Sequence, residues 1–509
     1  MPLYTNSRWL VNNEGKRVKV ACVNWPSHLE TVLAEGLNKR PLDDISKKIV
    51  ETGFNCVRFT WPVALPTNDS LASTTVEKWF KTLGLDESIA GIQVHNPSFL
   101  NLTLIQAFRT VIANLGDNNV MVILDNHISK PGWCCSNTDG NGFFGDQYFD
   151  PQLWLKGLTK MATMFKDTEQ VVGMSLRNEL RGPNQNKTVW YRYMQEGAET
   201  VHLANPNVLV IISGLSYDND LSFLKEQQVN LSFTKKAVFE IHRYGVSIGN
   251  GWETGSPNEV CGSFMKNFMG NAGFLLEQGY PLFLSEFGGD QRGTNVNDNR
   301  FLNCMFGVIA ELDLDWALWT LQGSYYLREG DRDLEEVYGV LDRNWREVRN
   351  TSFMVRINAV QVPYQGPGLF STAPYNIIFH PSSGFCILNN STFKQLRLGP
   401  CQVSDAWVYD SRQKTIVMKG TNLCLQAVGM GMPIGLVASC TSSASKWDMI
   451  SDSKMHLSSK LANGDIMCMD ISSSVLNGTI VANTCRCLKE DSKCDPASQW
   501  FKIINSSRN

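Results

Sequence analysis

Eight short apolar runs, each long enough for one buried strand, recur through the first 350 residues and alternate with longer amphipathic stretches. They fall at 18–24, 55–60, 120–126, 171–177, 208–213, 237–242, 281–285 and 315–319. Between them lie helical patterns such as DPQLWLKGLTKMATMF and TVWYRYMQEGAETVHLA. Strand-like runs alternating with helical ones specify βαβ units and a parallel sheet. A run apolar at nearly every position, like the one before Glu179, suits a strand covered on both faces. Eight such units are what a closed barrel requires, so an α/β TIM (β/α)8 barrel is expected.

Polar residues gather at the downstream ends of these runs. Glu179 stands in SLRNELRG directly after Asn178, and Glu286 stands in LFLSEFGG, 107 residues later. Arg58 lies in FNCVRF, His127 ends VMVILDNH, His242 and Tyr244 end AVFEIHRY, and Trp319 ends LDWALW. A parallel barrel carries residues from its strand C-termini to the rim of one cleft. Cleaving a glycosidic bond takes two carboxyl groups on opposite sides of the anomeric carbon, one to protonate the leaving oxygen and one to attack or to activate water. A lone Glu after an apolar run is ordinarily a helix-start or loop residue. The company of Arg, His, Asn, Tyr and Trp singles these two out.

The order Arg, His, Asn-Glu, His-x-Tyr, Glu, Trp resembles glycoside hydrolase family 5, a retaining (β/α)8 family of the cellulase and mannanase kind, over roughly residues 16 to 350. SLRNELRGP and KPGWCCSNTDGNGFFGD are similar to its plant branch. The resemblance implies Glu179 as general acid/base and Glu286 as nucleophile. The residue chemistry is compatible. Arg58 and Tyr244 can hold Glu286 ionised through hydrogen bonds. Asn178 can meet the sugar 2-hydroxyl, and His127 and His242 can bind sugar hydroxyls or orient the glutamates. Trp319 offers a flat apolar face, with Trp25 and Trp133 as candidates for neighbouring subsites. The expected substrate is a β-glucan, β-mannan or β-glucoside. An exo-acting enzyme on plant glycosides is the alternative, with inserts 61–99 and 128–150 as possible walls of a closed cleft. A carbohydrate-binding protein without catalysis is the reading from a different class.

Composition changes after residue 359. VQVPYQGPGLFSTAP, from 360 to 374, is rich in Pro and Gly and reads as a linker. The apolar runs then shorten, predicting an all-β region. Cys386 and Cys401 are 15 apart, Cys424 and Cys440 are 16 apart, and Cys468 and Cys485 are 17 apart; Trp407, Trp447 and Trp500 follow them. Three such repeats of about 40 residues suit a radially repeated fold. They resemble the ricin B-type lectin β-trefoil over residues 374 to 505, with its Q-x-W motif altered to D-A-W, S-K-W and S-Q-W. The expected boundaries are 1–359, a linker at 360–373, and 374–509. By that resemblance an Asp shortly after the first Cys of a repeat holds sugar, and Asp470 in CMDIS is the candidate for a second sugar site.

A net charge of −3 gives no reason to invoke nucleic acid or an anionic membrane. Eight of the 14 Cys lie between 386 and 494, a density of disulfide-stapled secreted modules. The start, MPLYTNSRWL, lacks the apolar core of a signal peptide, so either the chain is cytosolic or its leader has been removed. The cysteines favour a secreted protein. Nine N-x-S/T sequons, at Asn68, Asn101, Asn186, Asn230, Asn350, Asn389, Asn390, Asn477 and Asn505, agree with this. No H-E-x-x-H, C-x-x-C or Gly-rich nucleotide loop appears, so neither metal nor cofactor is expected. Cys134 and Cys135 are adjacent and are expected to pair with Cys261 or Cys304, or to stay free. Cys487 and Cys494 remain for a small extra loop.

Overall fold

The computed structural model describes residues 2–369, 374–390, 395–472, 478–489 and 491–507. Residues 370–373 of the expected linker and the sequon at Asn477 lie outside them. The chain forms two compact units. One comprises Met1–Tyr244, Gly270–Arg292 and Asp315–Asn350; the other comprises Gly245–Met269, Gly293–Leu314 and Thr351–Asn509. The units thus interleave along the chain, whereas the sequence suggests a division near residue 360.

Eight parallel strands close a barrel in the first unit: β1 (Ala21–Trp25), β2 (Cys56–Pro62), β3 (Met121–Ile128), β4 (Val171–Ser175), β5 (Leu209–Ile212), β6 (Ala237–Tyr244), β7 (Leu282–Gly288) and β8 (Asp315–Leu318). β8 pairs back onto β1, with Trp316 opposite Ala21. All eight match the runs read from the sequence, because strands covered on both faces must be apolar throughout. The barrel floor is a layer that includes Leu3, Leu10, Cys22, Ile123, Leu209 and Phe283. A hairpin of Tyr4–Asn6 with Trp9–Val11 supplies Leu10, and Leu3 directly precedes it.

The cysteines of the first unit pair as Cys22–Cys56, joining β1 and β2, and as Cys134–Cys135. The expectation for the second pair is corrected: these neighbours bond to each other, and Cys261 bonds to Cys304.

The C-terminal part of the second unit is all-β and antiparallel. One sheet starts with Tyr375–His380, which pairs with Lys502–Ser506; another contains Ile466–Ile471 paired with Ile480–Thr484. Bridges join Cys386–Cys401, Cys424–Cys440, Cys468–Cys485 and Cys487–Cys494. Among the described residues no helix is long and apolar enough to cross a membrane.

Candidate active site

Alternation along a strand puts residues i and i+2 on one face. In β2 this sends Arg58 and Thr60 to the same side, in β3 Asp125 and His127, and in β6 Glu240, His242 and Tyr244. A register shift that leaves Ser285 of β7 unpaired, between the Ile241–Leu284 and His242–Glu286 pairs, sets His242 opposite Glu286. The barrel therefore brings together all eight residues expected at the cleft.

Arg58 is the hub. Its guanidinium donates to Asn24 Oδ1 at 2.9 Å, to Glu286 Oε1 at 2.7 Å and to Asn178 Oδ1 at 3.0 Å. It also lies 2.9 Å from Asp125 and 3.8 Å from Glu240. Tyr244 donates its hydroxyl to Glu286 Oε2 at 2.9 Å. Both oxygens of Glu286 therefore accept a hydrogen bond. Burial pushes its carboxyl up, and His242 and Arg58 oppose that shift.

Glu179 has different surroundings. One carboxylate oxygen lies 2.9 Å from His242 Nδ1, and the nearby Arg181 donates instead to the Glu179 carbonyl. Burial pushes its carboxyl up to about 7, against the pull of Arg181 and Arg58. Burial pulls His242 down, which disfavours its charged form. One oxygen of each glutamate and a ring nitrogen of His242 lie within 4.8 Å of one another.

The backbone of Glu179 is left-handed, with φ at 44°. That conformation is costly for a non-glycine residue and persists only where neighbours enforce it. Asp218 enforces it by accepting the Glu179 N–H at 2.9 Å, while Arg181 donates to the Glu179 carbonyl at 2.8 Å. Asp218 itself ends a left-handed turn, Ser216–Tyr217–Asp218, with φ values of 55°, 60° and 54°. Its carbonyl receives the His242 N–H at 3.0 Å, so this turn fixes both partners of the Glu179–His242 pair.

His127 donates from Nδ1 to Asp125 at 2.6 Å, which leaves Nε2 as an acceptor near Asn178. Burial keeps this imidazole neutral. Its ring stacks on Trp319, with centroids 5.6 Å apart and planes at 18°. Trp25 is corrected to a core residue: it is fully buried, and its indole donates to the Glu35 carbonyl. Trp133 is half-buried beneath the Arg328 guanidinium, 3.4 Å from its ring centroid. The sulfurs of Cys134 and Cys135 border the cleft 3.6 and 3.8 Å from Asn178 Nδ2.

Sequence reasoning missed Asn24, Asp125, Asp218, Glu240 and Arg181. Asp125-x-His127 and Glu240-x-His242 carried a signal, since a carboxylate two residues before a functional His on a strand must share its face. Asp218 carried none, because a turn gives no periodicity.

Among the described residues, two groups of donors come close enough to hold a cation: Cys134, Cys135 and Glu179, and Glu179, His242 and Glu286. The first offers disulfide sulfurs, which lack the thiolate charge a metal needs. In the second, Arg58 already supplies the cation to Glu286. This donor set fits proton transfer better than metal ligation.

Asp470 lies in the second unit on Ile466–Ile471. Its carboxylate is buried and accepts N–H bonds from Ile471 at 2.8 Å and from Asn483 and Gln499 at 3.0 Å each.

A closed parallel barrel with paired carboxyls at the C-terminal ends of β4 and β7 is the frame of a glycoside hydrolase. The chain belongs to glycosyl hydrolase family 5, the cellulase family, whose profile matches residues 11–324. It is 45% identical over 527 residues to a glycosyl hydrolase 5 family protein of Chamaecyparis obtusa, covering 100% of this chain and 94% of the relative. An endoglucanase of Paenibacillus polymyxa is 23% identical over 341 residues, covering 62% of this chain and 79% of its own. The catalytic domain of the major endoglucanase from Xanthomonas campestris pv. campestris shares the fold with a TM-score of 0.56 at 21% identity, covering 70% of this chain and 99% of that one. An endocellulase from Pyrococcus horikoshii, solved with cellotetraose, does so with a TM-score of 0.57 at 18% identity, covering 71% and 98%.

Proposed function

We propose that this chain hydrolyses β-linked glucans or glucosides with retention of configuration, with Glu286 as nucleophile and Glu179 as acid/base. The observation that carries this reading is the close approach of the two carboxyls, one oxygen of each lying within 4.8 Å of one of the other, combined with their unlike partners. Carboxyls about 5–5.5 Å apart leave no room for water between them and the sugar, so one must attack carbon directly. Glu286, held by Arg58 and Tyr244, attacks the anomeric carbon. The bond to the leaving oxygen breaks as Glu179 hands that oxygen its proton. Glu179, now a carboxylate, takes a proton from water, whose oxygen displaces Glu286 and frees the sugar. Asn178 directs its amide N–H toward the 2-hydroxyl, because its oxygen is already bonded to Arg58. Trp319 supplies an apolar face, and His127 Nε2 accepts from a sugar hydroxyl.

Relatives named as endoglucanases support a β-glucan substrate, as does the endocellulase solved with cellotetraose. The experiment is a comparison of rates on barley β-glucan, mannan, cello-oligosaccharides and aryl β-glycosides, with product lengths recorded. Release of only mono- or disaccharides would eliminate endo action. Turnover unaffected by Glu286→Gln would overturn the site assignment, and absence of turnover on all of these substrates would favour a carbohydrate-binding role.

The C-terminal region reads best as a β-trefoil within boundaries 374–509. Support comes from three Cys-paired repeats and from one core that includes Trp407 and Trp447. Asp470 is its candidate second sugar site, and binding to immobilised galactose with loss in Asp470→Ala tests it. Seven disulfides support secretion, as does the extracellular Xanthomonas relative.

A further inference from the structure

Asp218 reaches Glu179 by two routes. The first is the backbone, where Asp218 Oδ2 accepts the Glu179 N–H at 2.9 Å. The second runs through His242. This ring sets Nδ1 2.9 Å from Glu179 Oε1, while Nε2, on its other side, lies 3.6 Å from the same Asp218 Oδ2. Nε2 is buried, and among the described residues it has no hydrogen-bond partner. Catalytic hydrogen bonds are commonly long before substrate binds and tighten in the complex.

A neutral imidazole carries one N–H, and the partner of either ring nitrogen decides where it sits. Burial disfavours the charged form of His242. Burial and Glu240 push the Asp218 carboxyl well up. The N–H that Oδ2 accepts marks it as the carbonyl oxygen of a protonated carboxyl, since the hydroxyl oxygen is the poorer acceptor. Protonated or ionised, Asp218 therefore presents an acceptor to Nε2. With a proton on Nε2, Nδ1 is bare and accepts hydrogen bonds only. Glu179 then meets it as the carboxylic acid.

We infer that Asp218 is a positioning residue for the acid: it holds His242 as the Nε2–H tautomer, so that Nδ1 accepts from the Glu179 hydroxyl and favours the acid form. Once a leaving oxygen has taken that proton, the Glu179 carboxylate faces the Nδ1 lone pair, which favours taking a proton back from water in the second step. The inference rests on the acid/base reading of Glu179 for its kinetic consequence, but not for the tautomer.

The test compares the full-length protein with Asp218→Asn and Asp218→Ala. Asn keeps an oxygen that accepts the Glu179 N–H and faces Nε2; Ala keeps none. Ring-nitrogen NMR of histidine-labelled protein reads the tautomer, with the His242 signal identified by its loss in His242→Asn. The proton is expected on Nε2 in the parent and in Asp218→Asn, and to shift toward Nδ1 in Asp218→Ala. An Nδ1–H donates to the Glu179 carboxylate and stabilises its charged form. The fall of kcat/KM, expected near 7 in the parent and in Asp218→Asn, therefore moves lower in Asp218→Ala, by about one pH unit. Arg58, Arg181, Asp125, Glu240 and Glu286 face these groups and are the same in every variant. Asp218→Ala is also expected to lose kcat/KM at least about tenfold on cello-oligosaccharides and less on 2,4-dinitrophenyl β-glucoside, whose leaving group needs little acid. A proton on Nδ1 in the parent overturns the inference. So does an Asp218→Ala protein that loses equally on both substrates with its pH profile unmoved, because a purely structural clamp would do that. An Asp218→Asn protein that matches Asp218→Ala also overturns it, since the charge and not the acceptor would then be at work. If the tautomers are as expected while no β-glycoside is hydrolysed, the hydrolase reading fails and the Asp218–His242 assignment stands.

Discussion

Glu179 and Glu286 share one cleft but hold different partners, and that difference predicts separable defects. Glu286 forms the bond to carbon, so Glu286→Gln is expected to lose turnover on every substrate, by at least about 10³-fold. Glu179 delivers a proton, a contribution of roughly 10²–10⁴-fold. A leaving group that departs as a stable anion needs little of that help. Glu179→Gln is therefore expected to lose about 10²–10⁴-fold on cello-oligosaccharides and far less in the first step on 2,4-dinitrophenyl β-glucoside. Burst kinetics on the activated substrate check this; equal losses on both substrates would remove Glu179 from the acid role. The pH dependence follows from the same residue. Its carboxyl is pushed up to about 7, and the protonated form is the active acid. Activity, measured as kcat/KM, is thus expected to fall as pH rises through about 7. Arg181 pulls this carboxyl down, so Arg181→Met is expected to move that fall to higher pH. Because the folded value lies above the unfolded 4.5, the group's contribution to stability is present below 4.5 and lost as pH rises through about 7.

At the scale of elements, β7 carries Glu286 and ends two residues later at Gly288, where the strand passes close to Trp319. A Cβ at Gly288 would overlap the Trp319 carbonyl oxygen. Backbone cannot yield as a flexible side chain does, so Gly288→Ala is expected to cost about 1–3 kcal/mol. It should also raise KM by displacing the Trp319 ring. Thermal melting and steady-state kinetics check the two effects, and a normal KM would argue that Trp319 plays no part in holding sugar. The barrel strands were legible because double-sided burial writes itself as an apolar run. Arg58, His127, Asn178, Glu179, His242, Tyr244, Glu286 and Trp319 were legible because strand ends are where those runs stop. Asp218 and the left-handed turn that clamps Glu179 were not, since their role depends on φ values set by contacts distant in sequence. Trp25 misled for a related reason. It ends an apolar run like the others, but its indole turns to the Glu35 carbonyl inside the core. The Cys134–Cys135 bond was not legible, because the order of residues does not fix which cysteines pair.

At the scale of the whole molecule, the C-terminal β region draws one core from three Cys-paired repeats. Ile387, Leu398 and Trp407 come from the first, Leu425 and Trp447 from the second, and Leu457, Met469 and Phe501 from the third. Among the described residues the three repeats feed this one core, so loosening any one of them exposes the others. The three bridges span 15, 16 and 17 residues. Chain-entropy arguments give loops of this length about 3 kcal/mol each. The double replacements Cys386→Ser/Cys401→Ser, Cys424→Ser/Cys440→Ser and Cys468→Ser/Cys485→Ser are therefore expected to lower one and the same calorimetric transition, by similar amounts. Independent repeats would instead lose a third of the transition enthalpy early and leave the rest in place. Scanning calorimetry on the three variants distinguishes these outcomes. A split transition in any of them would mean that the shared core does not couple the repeats, and the trefoil reading of this region would fall with it.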